Sequence, residues 1–286
     1  ASDSRTHLYA WRCKTSLIRS KIDKRPIFFL QHGVIALKRV DNFYGKGKKG
    51  GCDLFVVSTN KEKQTIVENF EYEPDEVINT GLPRWDVLKD KSQGKREILI
   101  MPTWRNWLDS VPDKDFEESD YFRHYMGLLN SERLNQILEK YDLEVNFYLH
   151  AKFQEYADTF KSISKRIHLI SFGEVAVNEM LMRCRMLITD YSSVCWDILY
   201  QDKPSLFYQF DIGKYNEAHG SYIDMETELF GDRAATQEQL LDYLEETVQN
   251  DFRLKPEYEK MRGEYLQFKD HEHSRHICEE IKKRFH

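Results

Sequence analysis

No apolar run in this 286-residue chain approaches the roughly 20 residues that a membrane span requires. A P-loop is also missing, which argues against P-loop kinase chemistry. No Asp-x-Asp pair follows a predicted strand to hold a catalytic Mg²⁺, so we expect a site that works without metal. Internal repeats and low-complexity tracts are absent as well. With 41% hydrophobic and 31% charged residues, the sequence is typical of an ordinary globular protein.

Cysteine is scarce and shows no ligand or disulfide pattern. The five residues are odd in number, and none belongs to a C-x-x-C pair. We therefore expect incidental, reduced thiols rather than a disulfide scaffold or a zinc site. They are Cys13, Cys52, Cys184, Cys195 and Cys278. The formal charge of -6 argues further against a general nucleic-acid binder.

The N-terminal residues 1–5 are polar and lack the apolar segment of a signal peptide. The sequence does not begin with methionine, and a helix-like pattern starts at once. We therefore expect a fragment whose upstream sequence is missing.

Short apolar runs alternate with helical patterns, which predicts parallel α/β sheets. Strands are predicted at residues 27–31, 53–58, 77–80, 97–101, 145–149, 167–170, 186–189 and 205–208. Helices are predicted at residues 60–70, 131–141, 177–185, 194–200 and 237–249, with one or two more over 256–285 and Ser274 as the N-cap of the last. Residues 107–120 are acidic and irregular, so we expect a loop or lid there.

The pattern divides into two halves at the polar stretch 89–96. Residues 93–286 hold enough strands for one full doubly wound domain, followed by C-terminal helices. Residues 1–92 hold only about half the strands of a Rossmann-like domain. We therefore predict an α/β protein of two Rossmann-like domains, of which the first is incomplete at its N-terminus.

The most informative motif is the segment 189–193, with the letters TDYSS, which follows an apolar strand and opens a predicted helix. The free N–H groups and the dipole of a helix start attract phosphate, and the hydroxyls of Ser192 and Ser193 add donors. Asp197 lies one turn further along, on the side of Ser193, where it can bind a polyol or ribose hydroxyl. Asp190 can instead order the loop. Plain N-capping by serine is a compatible alternative.

Two histidines follow predicted strands, His32 in the letters QHG at 31–33 and His150 after the strand 145–149. Ligands bind beyond the carboxyl ends of strands in open α/β sheets, where a neutral imidazole can take a proton from an attacking hydroxyl. His32 is therefore a candidate general base. His150 is a candidate for stabilising a phosphoryl group or protonating a leaving oxygen. A histidine satisfied at a strand end is an equally weighted alternative for His32.

Arginine also follows predicted strand ends. Arg105, in the letters PTWR at 102–105, can clamp a pyrophosphate with its planar guanidinium. Arg84, after the letters GLP, is placed similarly. A surface ion pair is the alternative for both and a strong competitor for Arg84. Thr103 joins the two arginines among the candidate donor-binding residues.

A glycine-containing loop carries several basic residues on an acidic chain. They are Lys38, Arg39, Lys46, Lys48 and Lys49. Such a loop can meet anionic lipid or a polyanionic acceptor, and a solvated loop is an alternative of at least equal weight. Near the C-terminus, His271, His273 and His276 lie in a polar segment that we expect to be exposed, so no metal site is predicted there.

These motifs occur in one order along the chain: QHG at 31–33, GLPRWD at 81–86, PTWR at 102–105, TDYSS at 189–193 with Asp197, and Lys203-Pro204 before the strand with Phe207. In that order and spacing, the chain resembles the CDP-glycerol glycerophosphotransferase family, the polymerases and primases of bacterial teichoic acids and related capsule polymers. The resemblance covers nearly the whole chain. One departure is Ala151, which follows His150 where the family often has proline.

The resemblance implies a GT-B architecture, in which two Rossmann-like domains face a cleft. It implies transfer of glycerol phosphate or ribitol phosphate from CDP-glycerol or CDP-ribitol to an anionic polyol-phosphate or lipid-linked acceptor, with release of CMP. His32 would be the base, His150 would act near the donor phosphates, and Ser192, Ser193 and Asp197 would contact the CDP-polyol.

From the sequence, we expect no cofactor, no metal and no nucleic-acid partner. We expect the protein to be peripheral on the inner face of the bacterial cytoplasmic membrane. Two other functions stay open at this point. One is a GT-B glycosyltransferase that uses a nucleotide sugar. The other is a non-catalytic module that binds an envelope polymer.

Overall fold

The computed structural model describes Lys21 and residues 24–285, so Cys13 and the helix-like pattern at the N-terminus lie outside the described residues. The strands are β1 (Phe28–Phe29), β2 (Leu54–Val57), β3 (Val77–Asn79), β4 (Glu97–Ile100), β5 (Glu144–Tyr148), β6 (Ile167–Ile170), β7 (Met186–Thr189), β8 (Ser205–Tyr208) and β9 (Asp232–Ala234). The α-helices are α1 (Asp41–Tyr44), α2 (Asn60–Phe70), α3 (Asp113–Glu117), α4 (Asp120–Leu129), α5 (Glu132–Lys140), α6 (Val177–Arg183), α7 (Val194–Tyr200), α8 (Ile212–Ala218), α9 (Gln237–Gln249), α10 (Pro256–Tyr265) and α11 (His273–Phe285). Short 3₁₀ helices cover Pro83–Val87, Asn106–Leu108 and Ala151–Thr159.

The chain folds into two compact units. Unit 1 comprises residues 1–88, 220–223 and 261–286, and unit 2 comprises residues 89–219 and 224–260. The expected boundary after residue 92 lies close to the observed one. The C-terminal helices were expected in the second domain, whereas residues 261–286 belong to unit 1. The reason is packing, because Ile277 of α11 completes an apolar cluster with Leu54, Val56 and Ile78 of the first sheet.

The described sheet of unit 1 is parallel, with the order β1-β2-β3. All four residues of β2 are buried, as expected for a parallel strand with both faces covered. The helix α2 begins after Thr59, whose side chain accepts a hydrogen bond from the Glu62 N–H, and it ends at Glu71 in the left-handed conformation. One face of α2 contributes Ile66 and Phe70 to the core of unit 1.

The last helix of unit 1 is capped from a distant part of the chain. The two carboxylate oxygens of Asp86 accept hydrogen bonds from the backbone N–H groups of His273 (2.7 Å) and Ser274 (3.0 Å). The prediction that Ser274 is the N-cap is therefore wrong, because α11 already begins at His273 and Asp86 satisfies the free donors of its first turn. Of the three histidines that we expected to be exposed, His271 is exposed, His276 is half-buried and His273 is fully buried.

Unit 2 holds a six-stranded parallel sheet with the order β6-β5-β4-β7-β8-β9. Counted from β4, this is the strand order 3-2-1-4-5-6 of a Rossmann fold. The order reverses between β4 and β7, so the crevice beyond the ends of these two strands is the topological switch point, where such sheets bind ligands. The strands predicted for this half all form, and β9 is an edge strand that the pattern did not predict.

The stretch 107–120 is not the irregular loop or lid that we expected, because α3 and the start of α4 lie within it. Its anchor is Phe116, which is fully buried and stacks on Tyr156 with ring centroids 3.9 Å apart. One buried aromatic ring thus holds an otherwise acidic segment onto the core. Among the described residues, no helix combines the length and apolarity needed to cross a membrane.

Candidate active site

In unit 1, the candidate base His32 lies just beyond the end of β1 and is exposed. The residue before it, Gln31, has a φ of 60°, which is the left-handed region that non-glycine residues seldom adopt. The Arg84 guanidinium donates a hydrogen bond to the carbonyl oxygen of His32. Arg84 therefore belongs beside His32 in unit 1, whereas the other candidate donor-binding residues belong to unit 2.

A residue that the sequence analysis missed holds the loop around His32. Glu62 of α2 is buried, and its carboxylate accepts hydrogen bonds from the Ile35 N–H (2.7 Å), the Gln31 side-chain amide (3.1 Å) and the Ser58 N–H (2.7 Å). Burial raises the pKa of Glu62, although these donors oppose the shift. The letters T-x-x-E at 59–62 are a capping-box signal, which explains the glutamate locally and conceals its contact with the His32 loop.

The basic loop of unit 1 is only partly available to a partner. Lys48 and Lys49 are exposed, whereas Lys46 forms an ion pair with Glu76 at 2.6 Å. The Arg39 guanidinium lies over the Tyr222 ring, 5.5 Å from its centroid. In the same loop, burial lowers the pKa of Lys38. The stretch 45–50 carries the letters G-x-G-x-x-G, but it follows α1 and leads into β2, so it lacks the strand-to-helix setting of a dinucleotide fingerprint.

In unit 2, the candidate residues gather at the ends of β4, β5 and β7, which are adjacent strands. The Thr103 N–H donates to Asp190 Oδ1 at 2.9 Å, and the Thr189 hydroxyl donates to the Met101 carbonyl at 2.7 Å. These bonds join the loop after β4 to the loop after β7 across the switch point. Each of these motifs follows a strand, as the sequence predicted, and the strand order brings them to one edge of the sheet.

Arg105 does not project from this edge as a pyrophosphate clamp. Its side chain is 0% exposed. Nε and Nη2 donate hydrogen bonds to Asp211, and Nη1 donates to the Thr103 carbonyl. Nη2 also lies 2.8 Å from Asp190 Oδ2. Burial opposes the charge of Arg105, but the carboxylates of Asp190 and Asp211 raise its pKa well above the ordinary value. The expected clamp is therefore corrected to a buried ionic centre that shapes the loops.

Asp190 is also buried, and its carboxylate oxygens already accept hydrogen bonds from other groups of the protein. Besides Arg105, its carboxylate accepts hydrogen bonds from the N–H groups of Thr103 and Tyr191 and from the Tyr125 hydroxyl. The alternative role, ordering of the loop, therefore describes Asp190 better than direct donor binding. Asp197 is also buried, one turn along α7 from Ser193.

The start of α7 keeps two half-buried serines at the switch point. Ser193 is the N-cap, yet its side chain makes no capping hydrogen bond. The Ser192 hydroxyl accepts only a long contact of 3.5 Å from the Val194 N–H. Because neither hydroxyl makes a capping hydrogen bond of normal length, both are suited to donate to an external oxygen acceptor such as phosphate.

His150 is half-buried at the end of β5, and its ring lies 6.4 Å from that of Trp104 in a stacked arrangement. Its Nδ1 accepts a hydrogen bond from the Lys152 N–H at 3.2 Å. A neutral imidazole with an accepting Nδ1 carries its proton on Nε2, which makes Nε2 a donor. This tautomer is compatible with the predicted contact between His150 and a phosphate oxygen.

The C-terminal histidines form a local cluster in unit 1. Asp270 Oδ2 lies 3.2 Å from His276 Nε2, and His273 Nδ1 hydrogen-bonds the Thr80 carbonyl at 2.9 Å. Within the described part of the chain, Asp270, His273 and His276 bring potential ligand atoms within 4.8 Å of one another. The sequence does not predict this carboxylate–histidine arrangement.

The Rossmann-ordered sheet of unit 2 and the parallel sheet of unit 1 are typical of a GT-B-like α/β protein. The family model for CDP-Glycerol:Poly(glycerophosphate) glycerophosphotransferase matches residues 14–283. The chain therefore belongs to this family, as the sequence motifs indicated.

Curated relatives and solved structures agree with this membership. The chain is 30% identical to the minor teichoic acid biosynthesis protein GgaB of Bacillus subtilis (strain 168) over 85% of this chain and 27% of GgaB. It is 26% identical to a teichoic acid glycerol-phosphate transferase of Staphylococcus aureus (strain NCTC 8325 / PS 47) over 80% of this chain and 60% of that protein. The chain thus spans between about a quarter and three fifths of these two relatives.

Among solved structures, a variant of the wall teichoic acid polymerase TagF with CDPG matches at a TM-score of 0.69, with 19% identity over 94% of this chain and 70% of that one. A putative UDP-N-acetylglucosamine 2-epimerase from Listeria monocytogenes matches at 0.56, with 16% identity over 94% of this chain and 70% of that one. These likenesses establish the GT-B-like two-domain fold.

Proposed function

We propose that this chain is the catalytic part of a polyol-phosphate transferase. It moves glycerol phosphate or ribitol phosphate from a CDP-polyol onto a hydroxyl of a teichoic-acid or capsule-type acceptor. Membership of the family over residues 14–283 supports this reaction class, and the names of the relatives include glycerol-phosphate and ribitol-phosphate transferases. The observation that carries the proposal is the exposed imidazole of His32, which lies beyond a parallel strand on a loop held by buried hydrogen bonds.

In this proposal, His32 takes the proton of the acceptor hydroxyl, and the hydroxyl oxygen attacks the β-phosphorus of the donor, which bears the polyol. The bond from that phosphorus to the bridging oxygen breaks, and CMP leaves with the electron pair. His32 then releases its proton to solvent. A neutral imidazole suits this task near pH 7, and positioning with electrostatic stabilisation supplies most of the acceleration.

We propose that the donor phosphates bind at the switch point of unit 2. The serine hydroxyls at the start of α7 and the Nε2–H of His150 donate to the phosphate oxygens, while Asp197 is the family's candidate for the polyol. The reaction needs no metal in this proposal, because hydrogen-bond donors take up the developing charge. Support comes from the two serine side chains that make no normal cap and from TagF, whose solved variant was obtained with CDPG.

We further propose that the basic loop meets the anionic partner on the acceptor side. Exposed Lys48 and Lys49 can attract a polyol-phosphate chain or the anionic lipids of the inner membrane face. Replacing both lysines by glutamine should weaken binding to vesicles with anionic lipid if the partner is the membrane. If the partner is the polymer, the change should instead raise the KM for a soluble acceptor and leave vesicle binding as it was.

The test of the proposed function is CMP release with CDP-glycerol or CDP-ribitol and a short glycerol-phosphate oligomer as acceptor. We expect His32→Ala to abolish CMP release and to leave the dissociation constant of the donor, measured by calorimetry, unchanged. The matched control is His168→Ala, because His168 is an exposed histidine of unit 2 that pairs with Glu144 at 2.9 Å. It should retain wild-type rates.

Four outcomes contradict parts of the proposal. Wild-type turnover by His32→Ala removes the base assignment. Preferential binding of a UDP-sugar moves the chain to the nucleotide-sugar transferases. Retained donor binding without any CMP release, in the presence of acceptor, indicates a non-catalytic binding module. Loss of donor binding on addition of a chelator contradicts the metal-independent mechanism.

A further inference from the structure

A buried carboxylate in unit 1 points at the loop of the candidate base rather than at its own helix. Glu62 is 3% exposed, and Oε1 accepts hydrogen bonds from the Ile35 N–H at 2.7 Å and from Gln31 Nε2 at 3.1 Å. Its other oxygen, Oε2, accepts from the N–H and the hydroxyl of Ser58, both at 2.7 Å. One carboxylate therefore bridges the loops that follow β1 and β2.

This use of Glu62 departs from what its position predicts. In a capping box, the N3 glutamate accepts a hydrogen bond from the backbone of the N-cap residue, here Thr59. Half of the box is present, because Thr59 Oγ1 accepts from the Glu62 N–H at 2.9 Å. The carboxylate, however, reaches past the cap to Ser58 and across to Ile35. Local capping alone therefore does not account for this side chain.

The backbone beside His32 is strained and held. Gln31 has a φ of 60°, a conformation that costs energy for a residue with a Cβ and persists only where the surroundings fix it. Its buried side-chain amide donates to the Val56 carbonyl at 2.6 Å as well as to Glu62. The contacts of Gln31 and Ile35 lie on either side of His32, so the loop is fixed before and after the imidazole.

We propose that Glu62 and Gln31 are positioning residues for His32, which set the direction in which the chain leaves β1 and thereby the place of the imidazole. This inference rests on the proposed function, in which His32 is the base. Proton transfer requires the base within hydrogen-bond reach of the hydroxyl, and a shift of about 1 Å in an active site can lower a rate by about 100-fold. Neither residue touches the substrate in this proposal.

The test uses two variants that each remove different hydrogen bonds fixing the loop around His32. Gln31→Met keeps the length of the side chain and removes both amide hydrogen bonds, while Glu62→Gln keeps the shape and loses the charged acceptor. Both should lower kcat by about 10- to 100-fold and leave the donor dissociation constant unchanged, because the imidazole is displaced and the serines of α7 are untouched. The control is Glu68→Gln, an exposed glutamate of the same helix, which should keep wild-type kcat.

A second readout separates this proposal from the proposed function. The His32 imidazole signal in NMR spectra, assigned with His32→Gln, should shift and titrate differently in Gln31→Met and Glu62→Gln but not in Glu68→Gln. If the wild type released no CMP with any CDP-polyol while this signal changed, the proposed function would fail and the positioning would stand. If Glu62→Gln does not fold, the kcat and the His32 signal of Gln31→Met still test the proposal. Wild-type kcat and a wild-type His32 signal in Gln31→Met would overturn the proposal.

Discussion

Arg105 and Asp190 form an ion pair in which Nη2 lies 2.8 Å from Oδ2 and both side chains are fully buried. Asp211 accepts two further hydrogen bonds from the same guanidinium. Asp190 also accepts from the Thr103 N–H, so this pair connects the loops after β4 and β7 at the switch point. The residue that the sequence suggested as a phosphate clamp thus contributes to the shape of the proposed donor site without facing it.

We expect Arg105→Ala to destabilise the protein by about 3–5 kcal/mol, because removal of one partner leaves two carboxylates buried without their cation. The measurement is the free energy of unfolding in urea. Arg105→Lys should also destabilise, since an ammonium group cannot reproduce the planar fork that serves both carboxylates.

The control for this prediction is Arg123→Ala. Arg123 has a 62% exposed side chain 3.9 Å from Asp120, and loss of such a surface pair costs about 0–1 kcal/mol. An Arg105→Ala protein with wild-type stability and strongly reduced donor affinity would instead support the original clamp.

Most of the secondary structure of unit 2 is predictable from sequence, because parallel strands are continuous apolar runs between helical patterns. The helix 194–200 and the strands 167–170, 186–189 and 205–208 form with the predicted bounds. What the pattern cannot indicate is long-range partnership. The capping of α11 by Asp86 and the anchoring of Phe116 on Tyr156 join segments far apart in the chain.

The candidate site is also predictable in part: its place in the sheet follows from the sequence, but the long-range contacts of its side chains do not. The edge of the sheet that gathers Thr103, Asp190 and Ser192 follows from parallel topology alone. Whether an individual side chain faces solvent or a buried partner does not follow, because it depends on charges from other segments. Arg105 is buried by the distant Asp211, and Glu62 is recruited by the loop after β1.

We expect Asp86→Ala to loosen the last helix. The carboxylate of Asp86 accepts two hydrogen bonds from free N–H groups in the first turn of α11, and loss of a helix cap costs about 0.5–2 kcal/mol. Hydrogen exchange of the amides in α11 should become faster, whereas the exposed control Asp158→Ala should leave it unchanged. Unaltered exchange in Asp86→Ala would contradict the cap.

The raised pKa of Glu62 predicts a specific pH dependence of stability. Burial raises this pKa above 4.5, so in the window above pH 4.5 the folded state keeps a proton that the unfolded chain has released. Stability from this group is therefore present at low pH and is lost as the pH rises through the folded-state pKa.

We expect the stability advantage of the wild type over Glu62→Gln to be greatest near pH 4.5 and to shrink as the pH rises. Urea unfolding of both proteins between pH 4.5 and 8 measures it, and Glu68→Gln should show no comparable trend. An advantage that grows with pH would mean that Glu62 has a lowered pKa.

The start of α7 offers the sharpest separation of capping from ligand binding. Replacing both Ser192 and Ser193 with alanine should weaken binding of the CDP-polyol by about 100-fold or more, because hydrogen bonds to charged groups contribute about 1.5–3 kcal/mol each. Stability should change little, since Ser193 makes no side-chain capping bond and the Ser192 contact is long, at 3.5 Å. Calorimetry with CDP-glycerol and CDP-ribitol, together with urea unfolding, measures both effects.

Ser119→Ala is the control for helix capping, because we expect it to lower stability without changing donor binding. Ser119 is a true N-cap of α4, and its hydroxyl accepts a hydrogen bond from the Phe122 N–H at 3.1 Å. We expect this variant to lose about 0.5–2 kcal/mol of stability and to bind donor like the wild type. If instead the two serines of α7 behaved as Ser119 does, with a loss of stability and unchanged donor affinity, they would be caps alone and the phosphates would bind elsewhere.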